Sequence, residues 1–370
     1  MKKKKTVVVG MSGGVDSAVA ALILKQQGYN VIGVFMRNWE ESDPLTACPA
    51  AKDFEDVISV CDKLDIPYYS IEFIKEYFDE VFAPSIEEYK EGLTPNPDVL
   101  CNLKIKFNHF YQKALQLGAD YVATGHYCRN EKATLLKGLD PGKDQSYFLY
   151  TIKKDILERV LFPIGGMLKK DVRELAQKYE LDVYNKKDST GICFIGEKDF
   201  ANFLQKYIPK NPGKFQTLSG EVVGEHEGYA FYTIGQRKGL GLGGAGAPWY
   251  VIKKDLSKNI VYVERGENHP ELFSKKLVAN NLSFVANKSF LKESDLPYKL
   301  RAKVRYRQSD QECEIIKCQY SNGNDNDQKN ISSIEVSFTE LQRAVAPGQA
   351  IVFYKGDVCL GGGTIRSSSM

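Results

Sequence analysis

The chain has 370 residues, of which 43% are hydrophobic and 26% charged, and 50 basic against 47 acidic side chains give a net charge of +3. This composition is typical of a globular protein of two or three domains, and the near-neutral charge means that any nucleic-acid site must come from local basic clusters. No stretch approaches the roughly 18 apolar residues that a membrane-spanning helix needs.

The first predicted elements are an apolar strand, Thr6 to Gly10, and an amphipathic helix, Val15 to Gln27, joined by a segment rich in glycine and serine. Gly13 and Gly14 allow positive φ and a close backbone approach to a ligand, and the positive end of the helix points into the turn. These features predict a cradle for phosphate or pyrophosphate. Its candidate nucleotide-binding residues are Gly10, Met11, Ser12, Gly13, Gly14, Val15, Asp16 and Ser17.

No lysine follows these glycines, whereas in a Walker-type loop a lysine reaches the β- and γ-phosphates. The pattern Ser-Gly-Gly-Val-Asp-Ser instead resembles the loop of the ATP pyrophosphatases, which release AMP and pyrophosphate while they adenylate a carbonyl oxygen. The resemblance implies ATP, and we expect Mg²⁺ beside its phosphates. The alternative is a turn that joins strand to helix without a ligand.

Strands and helices continue to alternate along the first part of the chain, which predicts a doubly wound parallel sheet. Further strands are predicted at Val31–Met36, Tyr68–Phe73 and Ala119–Gly125, and further helices near Leu149–Leu161 and Lys169–Tyr179. Such sheets bind ligands at the carboxyl ends of their strands. Met36 and Gly125 lie at such ends, and we expect them to flank the adenosine.

The pattern changes after Pro209, where short β-type runs alternate with Gly, Asn and Asp turns, and it breaks again near Asn268 to Phe273. We predict an α/β fold with an N-terminal doubly wound parallel sheet, resembling the adenine nucleotide alpha hydrolase-like (PP-loop) type. A small β-rich central domain and a C-terminal β-barrel follow it. The predicted domain boundaries are 1–208, 209–273 and 274–370.

The segment from Thr94 to Asn102 contains two prolines, an acid at Asp98 and a cysteine at Cys101. We expect Cys101 to open a helix, where the dipole and the unpaired N–H groups favour the thiolate, and Lys104 and Lys106 to act in the same direction. Asp98 could transfer a proton if the turn folds back. The alternative is a rigid proline turn that caps a helix and buries the cysteine.

A second cysteine, Cys193, follows Gly191 within Asp188–Gly196, and taken alone it is more typical of a core residue. The eight cysteines form no Cys-x-x-Cys pair and the four histidines are dispersed, so neither a disulfide scaffold nor a zinc site is indicated. The lysine-rich start lacks the apolar core of a signal peptide, and we therefore expect a cytoplasmic protein without a membrane contact.

In the predicted barrel, Arg301, Lys303, Arg305 and Arg307 alternate along a strand, with Tyr306 on the opposite face. This spacing predicts a face of four positive charges suited to the phosphates of a nucleic acid. A solvated strand face without a partner is the alternative.

The glycine-rich turn and the two cysteine segments together resemble the bacterial tRNA 2-thiouridylase family, which places sulfur on the wobble uridine of certain tRNAs. The resemblance covers essentially the whole chain. It includes, in order, Gly125–Tyr127, Lys143–Leu149, Thr233–Gly239, Val304–Gln308 and Gly361–Ile365. It implies that the C2 oxygen of the uridine is adenylated by ATP and then replaced by sulfur.

The same resemblance implies roles for individual residues. Cys193 would carry a persulfide received from a cysteine desulfurase or a relay carrier, Cys101 would be the partner nucleophile, and Asp98 the general acid or base. The expected substrates are tRNAs with lysine, glutamate and glutamine anticodons. The residues implied to contact the tRNA or its base are Asn96, Pro97, Asp98, Lys143, Asp144, Gln145, Arg305, Tyr306 and Arg307.

Two other functions are compatible with the same turn. A small-molecule synthetase of the ATP pyrophosphatase type would need neither Cys101 nor Cys193, and its pyrophosphate release would not depend on tRNA. An RNA-binding protein that uses ATP only as a switch would not produce AMP. Thiolation of another tRNA base also stays open, because the wobble position follows from the resemblance alone.

Overall fold

The computed structural model describes residues 4–40, 49–188, 200–286, 290–322 and 329–370. Its strands are β1 Thr6–Met11, β2 Asn30–Arg37, β3 Tyr68–Glu72, β4 Tyr121–Thr124, β5 Cys128–Glu131, β6 Thr134–Lys137, β7 Val160–Leu161, β8 Gly213–Gln216, β9 Val222–His226, β10 Trp249–Asp255, β11 Ile260–Arg265, β12 Phe273–Phe284, β13 Tyr298–Lys303, β14 Gln311–Asn322, β15 Lys329–Arg343, β16 Ala350–Lys355 and β17 Val358–Ser369. Its α-helices are α1 Val15–Gln26, α2 Pro49–Lys63, α3 Ile74–Tyr77, α4 Ala83–Lys90, α5 Pro97–Cys101, α6 Tyr111–Gln116, α7 Lys154–Leu157, α8 Lys169–Lys178 and α9 Phe200–Leu204. Two π-helical segments, Phe78–Phe82 and Asn102–Phe110, and short 3-10 turns complete the elements.

Five parallel strands form the amino-terminal sheet in the order β3-β2-β1-β4-β7. The central strand is apolar on both faces because helices cover both sides of the sheet, so Val8 packs into one core and its neighbours Val7 and Val9 pack into the other. Gly10, near the end of β1, pairs with Thr124 at the end of β4. The predicted doubly wound sheet is confirmed, and the ends of its strands lie side by side.

The predicted helix near Leu149–Leu161 is largely wrong. The structure has only the single helical turn α7 there, followed by strand β7. Val160 of β7 is 1% exposed and pairs with Val122 of β4. This buried pairing at the edge of the sheet outweighs a local pattern that fits a helix, since short apolar runs do not distinguish the two states.

The remaining strands form the two predicted β-rich regions. The central sheet has the order β10-β11-β8-β9. The C-terminal strands follow the order β12-β15-β14-β13-β16-β17, and β12 also pairs with β17, so six strands close into a barrel. The hairpin β5–β6 leaves the amino-terminal part and joins the barrel sheet, where Leu136 lies opposite Val358.

Buried polar contacts dock the barrel against the amino-terminal part. The Tyr147 hydroxyl donates to the backbone oxygen of Ala350 at 2.9 Å, and the hydroxyls of Ser146 and Tyr354 are 3.1 Å apart. These bonds hold the loop before α7 against β16. Within the described ranges, no helix has both the length and the apolar character required to traverse a bilayer.

Candidate active site

The segment Gly10–Ser17 spans the end of β1, the turn itself and the start of α1, and it is called the nucleotide turn from here on. It is organised by its own serines. The Ser17 hydroxyl donates to the backbone oxygen of Gly14 at 3.1 Å and accepts the backbone N–H of Ser12, also at 3.1 Å. In the described part of the chain, α1 has no side-chain cap, because the residue before it is Gly14. The turn therefore presents the positive end of α1 to a ligand, and its accessible residues are Ser12, which is exposed, and Gly14 and Asp16, which are half-buried.

Two glycines of this region are required by close packing. Gly13 has a φ of +73°, and a Cβ atom there would lie 2.4 Å from the backbone oxygen of Asp53 in the first turns of α2. A Cβ atom at Gly125 would lie 2.7 Å from the backbone nitrogen of Ser17. The turn is thus enclosed by α2 on one side and by the end of β4 on another, and Gly125 lies beside it.

Charged and polar side chains from distant positions converge on Asp16, the acid of the turn. Its carboxylate accepts hydrogen bonds from the Tyr127 hydroxyl at 2.8 Å and from the Lys169 ammonium at 2.7 and 2.8 Å. The same ammonium is 2.8 Å from the carboxylate of Asp188. A lysine from 153 positions away is therefore bound to a turn whose own sequence contains none.

Asp188 is the anion at which three cations meet. Its carboxylate lies 2.5 Å from Lys143, 2.8 Å from Lys169 and 2.9 Å from Arg173. Burial alone would raise the pKa of the Asp188 carboxyl. The hydrogen bonds from Lys143 and Lys169 outweigh this effect and lower the pKa to about 2. The carboxylate is therefore ionised near neutral pH, and Lys169 links it to the nucleotide turn.

Lys186 makes a second link between this segment and the turn. Its ammonium donates to the backbone oxygen of Gly13 at 3.0 Å and to the carboxylates of Asp53 at 2.7 Å and Asp56. Burial lowers the pKa of Lys186, but the bonds to the two carboxylates raise it above its ordinary value. The residues just before the Cys193 segment are thus fixed to the turn at two points.

Cys193 itself lies outside the described residues, which stop at Asp188 and resume at Phe200. It follows Asp188 by five positions.

Cys101 is completely buried, but it does not open a helix. Helix α5 begins at Pro97, and the side chain of Asn96 caps it by accepting the backbone N–H of Val99 at 3.4 Å. Cys101 is the last residue of α5, where the helix passes into the π-helical segment. The expected activation of this thiol by a helix N-terminus is wrong, because the proline occupies the first helical position and starts the helix earlier.

The two lysines that were expected to favour the thiolate have other partners. Lys104 lies 3.7 Å from the carboxylate of Glu80, and Lys106 lies 3.5 Å from Nε2 of His126. Burial and the nearby Lys106 lower the pKa of the His126 imidazole well below its usual value. The ring is therefore neutral, and because an ammonium can only donate, Nδ1 carries the proton and donates to Thr124 at 2.7 Å.

The helix that carries Cys101 nevertheless meets the nucleotide turn. A Cβ atom at Gly10 would lie 3.3 Å from the ring of Phe110, at the end of the π-helical segment, and 3.4 Å from the methyl carbon of Met36. Next to Cys101, the side chain of Asn102 donates to the backbone oxygen of Phe148 at 3.1 Å. The structure therefore brings the turn, Met36 and the Cys101 helix to the same strand ends.

The three residues of the Lys143–Gln145 motif have different surroundings. Asp144 is 4% exposed, and its carboxylate binds the Lys303 ammonium at 3.1 Å. The same carboxylate accepts the backbone N–H groups of Gly138 and Ser146, so Asp144 braces its own loop. Because it is buried, it is not placed to touch an RNA. Gln145 is half-buried and accepts the backbone N–H of Tyr127 at 2.9 Å. Lys143 is half-buried and engaged with the acid that precedes the Cys193 segment.

The predicted face of four cations on the barrel is wrong. Strand β13 ends at Lys303, and a turn follows it. Lys303 is 7% exposed, and Arg305 is half-buried and donates to a backbone oxygen at 2.6 Å. Of the four side chains, Arg301 and Arg307 are the exposed ones. The buried acid Asp144 compensates the buried lysine, which alternating residue types along a strand do not reveal.

Tyr306 and Arg307 share the turn after β13. The Tyr306 ring packs on that of Phe148 with centroids 4.4 Å apart, and burial raises the pKa of its hydroxyl to about 12. The tyrosine is therefore neutral and fixed against the loop that contacts the Cys101 helix. Arg307 is the exposed charge beside it.

We expect Lys303→Met to lower the free energy of unfolding by about 3–5 kcal/mol, because it leaves the buried carboxylate of Asp144 without its ammonium partner. Arg301→Met removes an exposed charge from the same strand and should change stability by less than about 0.5 kcal/mol. Urea unfolding of both variants measures the difference. Equal stabilities would contradict the buried ion pair.

Sequence reasoning missed Tyr127, Lys169, Arg173 and Lys186 as residues of the site. The absence of a lysine from the turn was the one signal that a cation has to reach it from elsewhere in the chain. The partners, however, are separated from the turn by 111 to 173 positions. Local patterns do not specify contacts over such distances, so only the fold identifies them.

The sheet order and the turn after β1 define an α/β nucleotide-binding protein of the HUP type. The family model described as the tRNA methyl transferase HUP domain matches residues 5–197. The tRNA methyl transferase PRC-barrel domain matches residues 201–265, and the aminomethyltransferase beta-barrel domain matches residues 274–365. Among solved structures, a 4-thiouridine synthetase–RNA complex with bound ATP aligns at a TM-score of 0.32 and 17% identity, over 55% of this chain and 50% of that chain.

Curated relatives extend over nearly the whole chain. The tRNA-specific 2-thiouridylase MnmA of Protochlamydia amoebophila is 54% identical over 99% of this chain and 94% of its own length. The proteins of the same name from Halalkalibacterium halodurans and Listeria welshimeri are 53% and 52% identical, each over 97% of this chain and 94% of its own length. The chain belongs to the tRNA-specific 2-thiouridylase MnmA family of tRNA-uridine sulfurtransferases, and the predicted family is confirmed.

Proposed function

We propose that the protein replaces the C2 oxygen of the wobble uridine of tRNA by sulfur, in a reaction that consumes ATP. The observation that carries the proposal is that the helical segment that continues from Cys101 packs against the end of β1, next to the anion-binding turn. The ring of Phe110, at the end of that segment, packs against Gly10. A nucleotide and a sulfur-handling thiol are what this reaction has to bring together.

The turn fits the phosphates of ATP because, among the described residues, no side chain caps the start of α1. We propose that Gly10 to Ser17 hold these phosphates and that Met36 and Gly125 flank the adenosine. ATP supplies an adenylate of the uridine oxygen, which leaves as AMP far more readily than an unmodified carbonyl oxygen would. Asp16 would repel the phosphates if it were alone, and Lys169 neutralises it at 2.7 Å.

We also propose that Mg²⁺ accompanies the nucleotide. In the part of the chain that the structure describes, no cluster of three or more His, Cys, Asp or Glu side chains could hold a metal ion. The ion would therefore be held mainly by the phosphates of ATP and by water, as is common for Mg²⁺. It would neutralise the charge of the departing pyrophosphate.

Sulfur delivery is proposed to use both cysteines. A cysteine desulfurase or a relay carrier transfers its persulfide sulfur to Cys193, and the terminal sulfur of Cys193 attacks C2 of the adenylated uridine, so that AMP leaves with the oxygen. The Cys101 thiolate then attacks Sγ of Cys193, which breaks the S–S bond, releases 2-thiouridine and leaves a Cys101–Cys193 disulfide. A cellular thiol reductant reopens it. In an alternative order, Cys101 attacks the persulfide first and sulfide is the nucleophile.

Asp98 is the proposed general acid or base of this sequence. It lies three positions before Cys101 in the same helix, and residues at that spacing are neighbours on the helix surface. It is half-buried, whereas Cys101 is completely buried. A buried thiol needs a nearby proton acceptor to become nucleophilic, because burial away from charges disfavours its thiolate.

The tRNA is proposed to present its uridine extruded from the anticodon loop, at a cost of a few kcal/mol that contacts in the pocket offset. Asn96, Pro97 and Asp98 would contact the base, and tRNAs with lysine, glutamate and glutamine anticodons are the expected substrates. The side chains proposed to contact the rest of the loop are Lys143, Gln145, Arg305, Tyr306 and Arg307, with Asp144 as an internal support. We propose cytoplasmic action and the domain division 1–208, 209–273 and 274–370.

Arg307→Ala is expected to weaken tRNA binding similarly for all bound sequences and to reduce the slope of log K against log salt by about one, because an exposed arginine acts through phosphate. Arg305→Ala should also weaken binding, with a loss of stability, because its guanidinium donates to the backbone oxygen of Ala344. Filter binding between low and moderate salt measures both. An unchanged slope for Arg307→Ala would remove this turn from the RNA footprint.

The function is tested by incubating the protein with ATP, sulfide or a persulfide donor and unmodified tRNA, then digesting the tRNA to nucleosides. We expect 2-thiouridine, located at the wobble position when the digestion is done on anticodon fragments. Thiolation elsewhere would show that another base is the target. Pyrophosphate release without tRNA would favour a small-molecule synthetase, and an absence of AMP would favour an ATP-switched RNA-binding protein.

A further inference from the structure

A turn of the barrel holds the loop that leads into the Cys101 helix. This turn, Pro347–Gln349, connects β15 to β16. The backbone oxygen of Pro347 accepts the N–H of Thr94 at 2.8 Å, and the side-chain amide of Gln349 donates to the backbone oxygens of Thr94 at 2.9 Å and Pro95 at 3.2 Å. Three hydrogen bonds thus join the barrel to the two residues that precede the Asn96 cap.

The approach of the turn is so close that its central residue has no room for a side chain. Gly348 has a φ of +94°, and a Cβ atom there would lie 2.8 to 2.9 Å from backbone atoms of Thr94. The turn is itself fixed to β17, since Gly348 donates to the backbone oxygen of Ile365 at 2.8 Å and Ile365 donates to that of Gln349 at 2.7 Å. The barrel wall therefore determines where Thr94 lies.

The central sheet region holds the same loop from another side. The hydroxyls of Thr94 and Thr233 are 3.4 Å apart, and the Tyr229 hydroxyl donates to the backbone oxygen of Lys90 at 2.9 Å. Both β-rich regions thus contact the segment that ends at Pro95, which is buried. The residues that follow it up to Asp98 are half-exposed, as side chains that meet a base have to be.

We propose that Gln349 is a positioning residue for sulfur transfer. It fixes the backbone just before the N-terminus of α5 and so places Asp98 and Cys101 relative to the nucleotide turn. Prolines at 95 and 97 stiffen the connection, because each fixes its own φ, so a displacement at Thr94 is carried on to Asp98. Gln349 contacts no reacting group, and the proposal rests on the function proposed above.

The decisive variant is Gln349→Met, which keeps a similar shape and removes the amide donor. We expect kcat for 2-thiouridine formation to fall by at least about tenfold, because small misplacements of reacting groups have effects of that size. The KM for ATP should stay within about twofold, since the nucleotide turn is not touched. The Kd for tRNA should change by less than kcat does, since the phosphate contact proposed for Arg307 is kept and only the contacts of the base with Asn96, Pro97 and Asp98 are disturbed. Gln349→Lys, whose ammonium can donate to Thr94, should recover part of kcat.

The matched control is Gln311→Met, at a barrel glutamine whose amide donates to Ser309 and not to the loop. It should leave kcat, KM and Kd unchanged. A wild-type kcat for Gln349→Met overturns the proposal, and so does a loss of stability and activity together that Gln349→Lys fails to relieve. If the wild-type protein forms no 2-thiouridine, the proposed function fails and this inference fails with it. If the wild-type protein is active and Gln349→Met is equally active, only the positioning role of Gln349 is overturned.

Discussion

Cys101→Ser is expected to abolish 2-thiouridine formation while tRNA-dependent pyrophosphate release continues for at least one turnover. Serine has nearly the same size, so the buried position in α5 is kept, but its hydroxyl is not ionised near neutral pH and cannot open a persulfide or a mixed disulfide. Cys193→Ser should give the same result, because it removes the sulfur carrier. The measurements are nucleoside analysis of the tRNA and quantitation of pyrophosphate.

The matched control for both variants is Cys318→Ser. Cys318 is a half-buried cysteine of barrel strand β14, in a region without a proposed part in the chemistry. The Cys318→Ser variant should thiolate tRNA at the wild-type rate. Thiolation at that rate by either Cys101→Ser or Cys193→Ser would show that the two cysteines do not form a relay, and sulfide would then have to react without them.

Gly13→Ala is expected to lower kcat/KM for ATP by about 100-fold, which corresponds to about 2.7 kcal/mol. The φ of +73° is unfavourable for alanine, and its Cβ atom would lie 2.4 Å from the backbone oxygen of Asp53. A backbone oxygen cannot move aside as a flexible side chain can. The turn has to shift instead, and the bond from Lys186 to the Gly13 oxygen is lost with it.

Gly166→Ala provides the control for Gly13→Ala. A Cβ atom at Gly166 would meet no atom within 4 Å among the described residues, and its backbone is not in the left-handed region. Steady-state kinetics with varied ATP should therefore show no change for this variant. A wild-type KM and kcat for Gly13→Ala would mean that the turn does not hold the phosphates.

The sequence was sufficient to predict the parallel sheet and the nucleotide turn because their signals are local. Val7 to Val9 form an uninterrupted apolar run that only a strand buried on both faces needs. Gly13 marks the place where the backbone needs positive φ, whereas Gly14, which was expected to share that freedom, has an extended backbone with φ −101°. Gly125 could be placed at a strand end because it directly follows the apolar run of β4. The closed barrel was also predicted, from short β-type runs separated by turn residues.

The electrostatics of the site could not be predicted, because it depends on which distant residues the fold brings together. Lys169 and Lys186 reach the turn from positions that no periodicity connects with it. The alternation of Arg301 to Arg307 was misread for a related reason: whether a lysine on a strand faces solvent or a buried acid depends on the neighbouring domain. Local dipole reasoning at Cys101 failed because Pro97 moved the start of the helix.

The measurement that tests the account most directly uses ATP labelled at its α-phosphate, with unmodified tRNA and a persulfide donor. Labelled AMP and 2-thiouridine should form in equal amounts and only when tRNA is present, because each exchanged oxygen leaves as part of one AMP. Labelled ADP as the product, or 2-thiouridine formed without cleavage of ATP, would contradict the account.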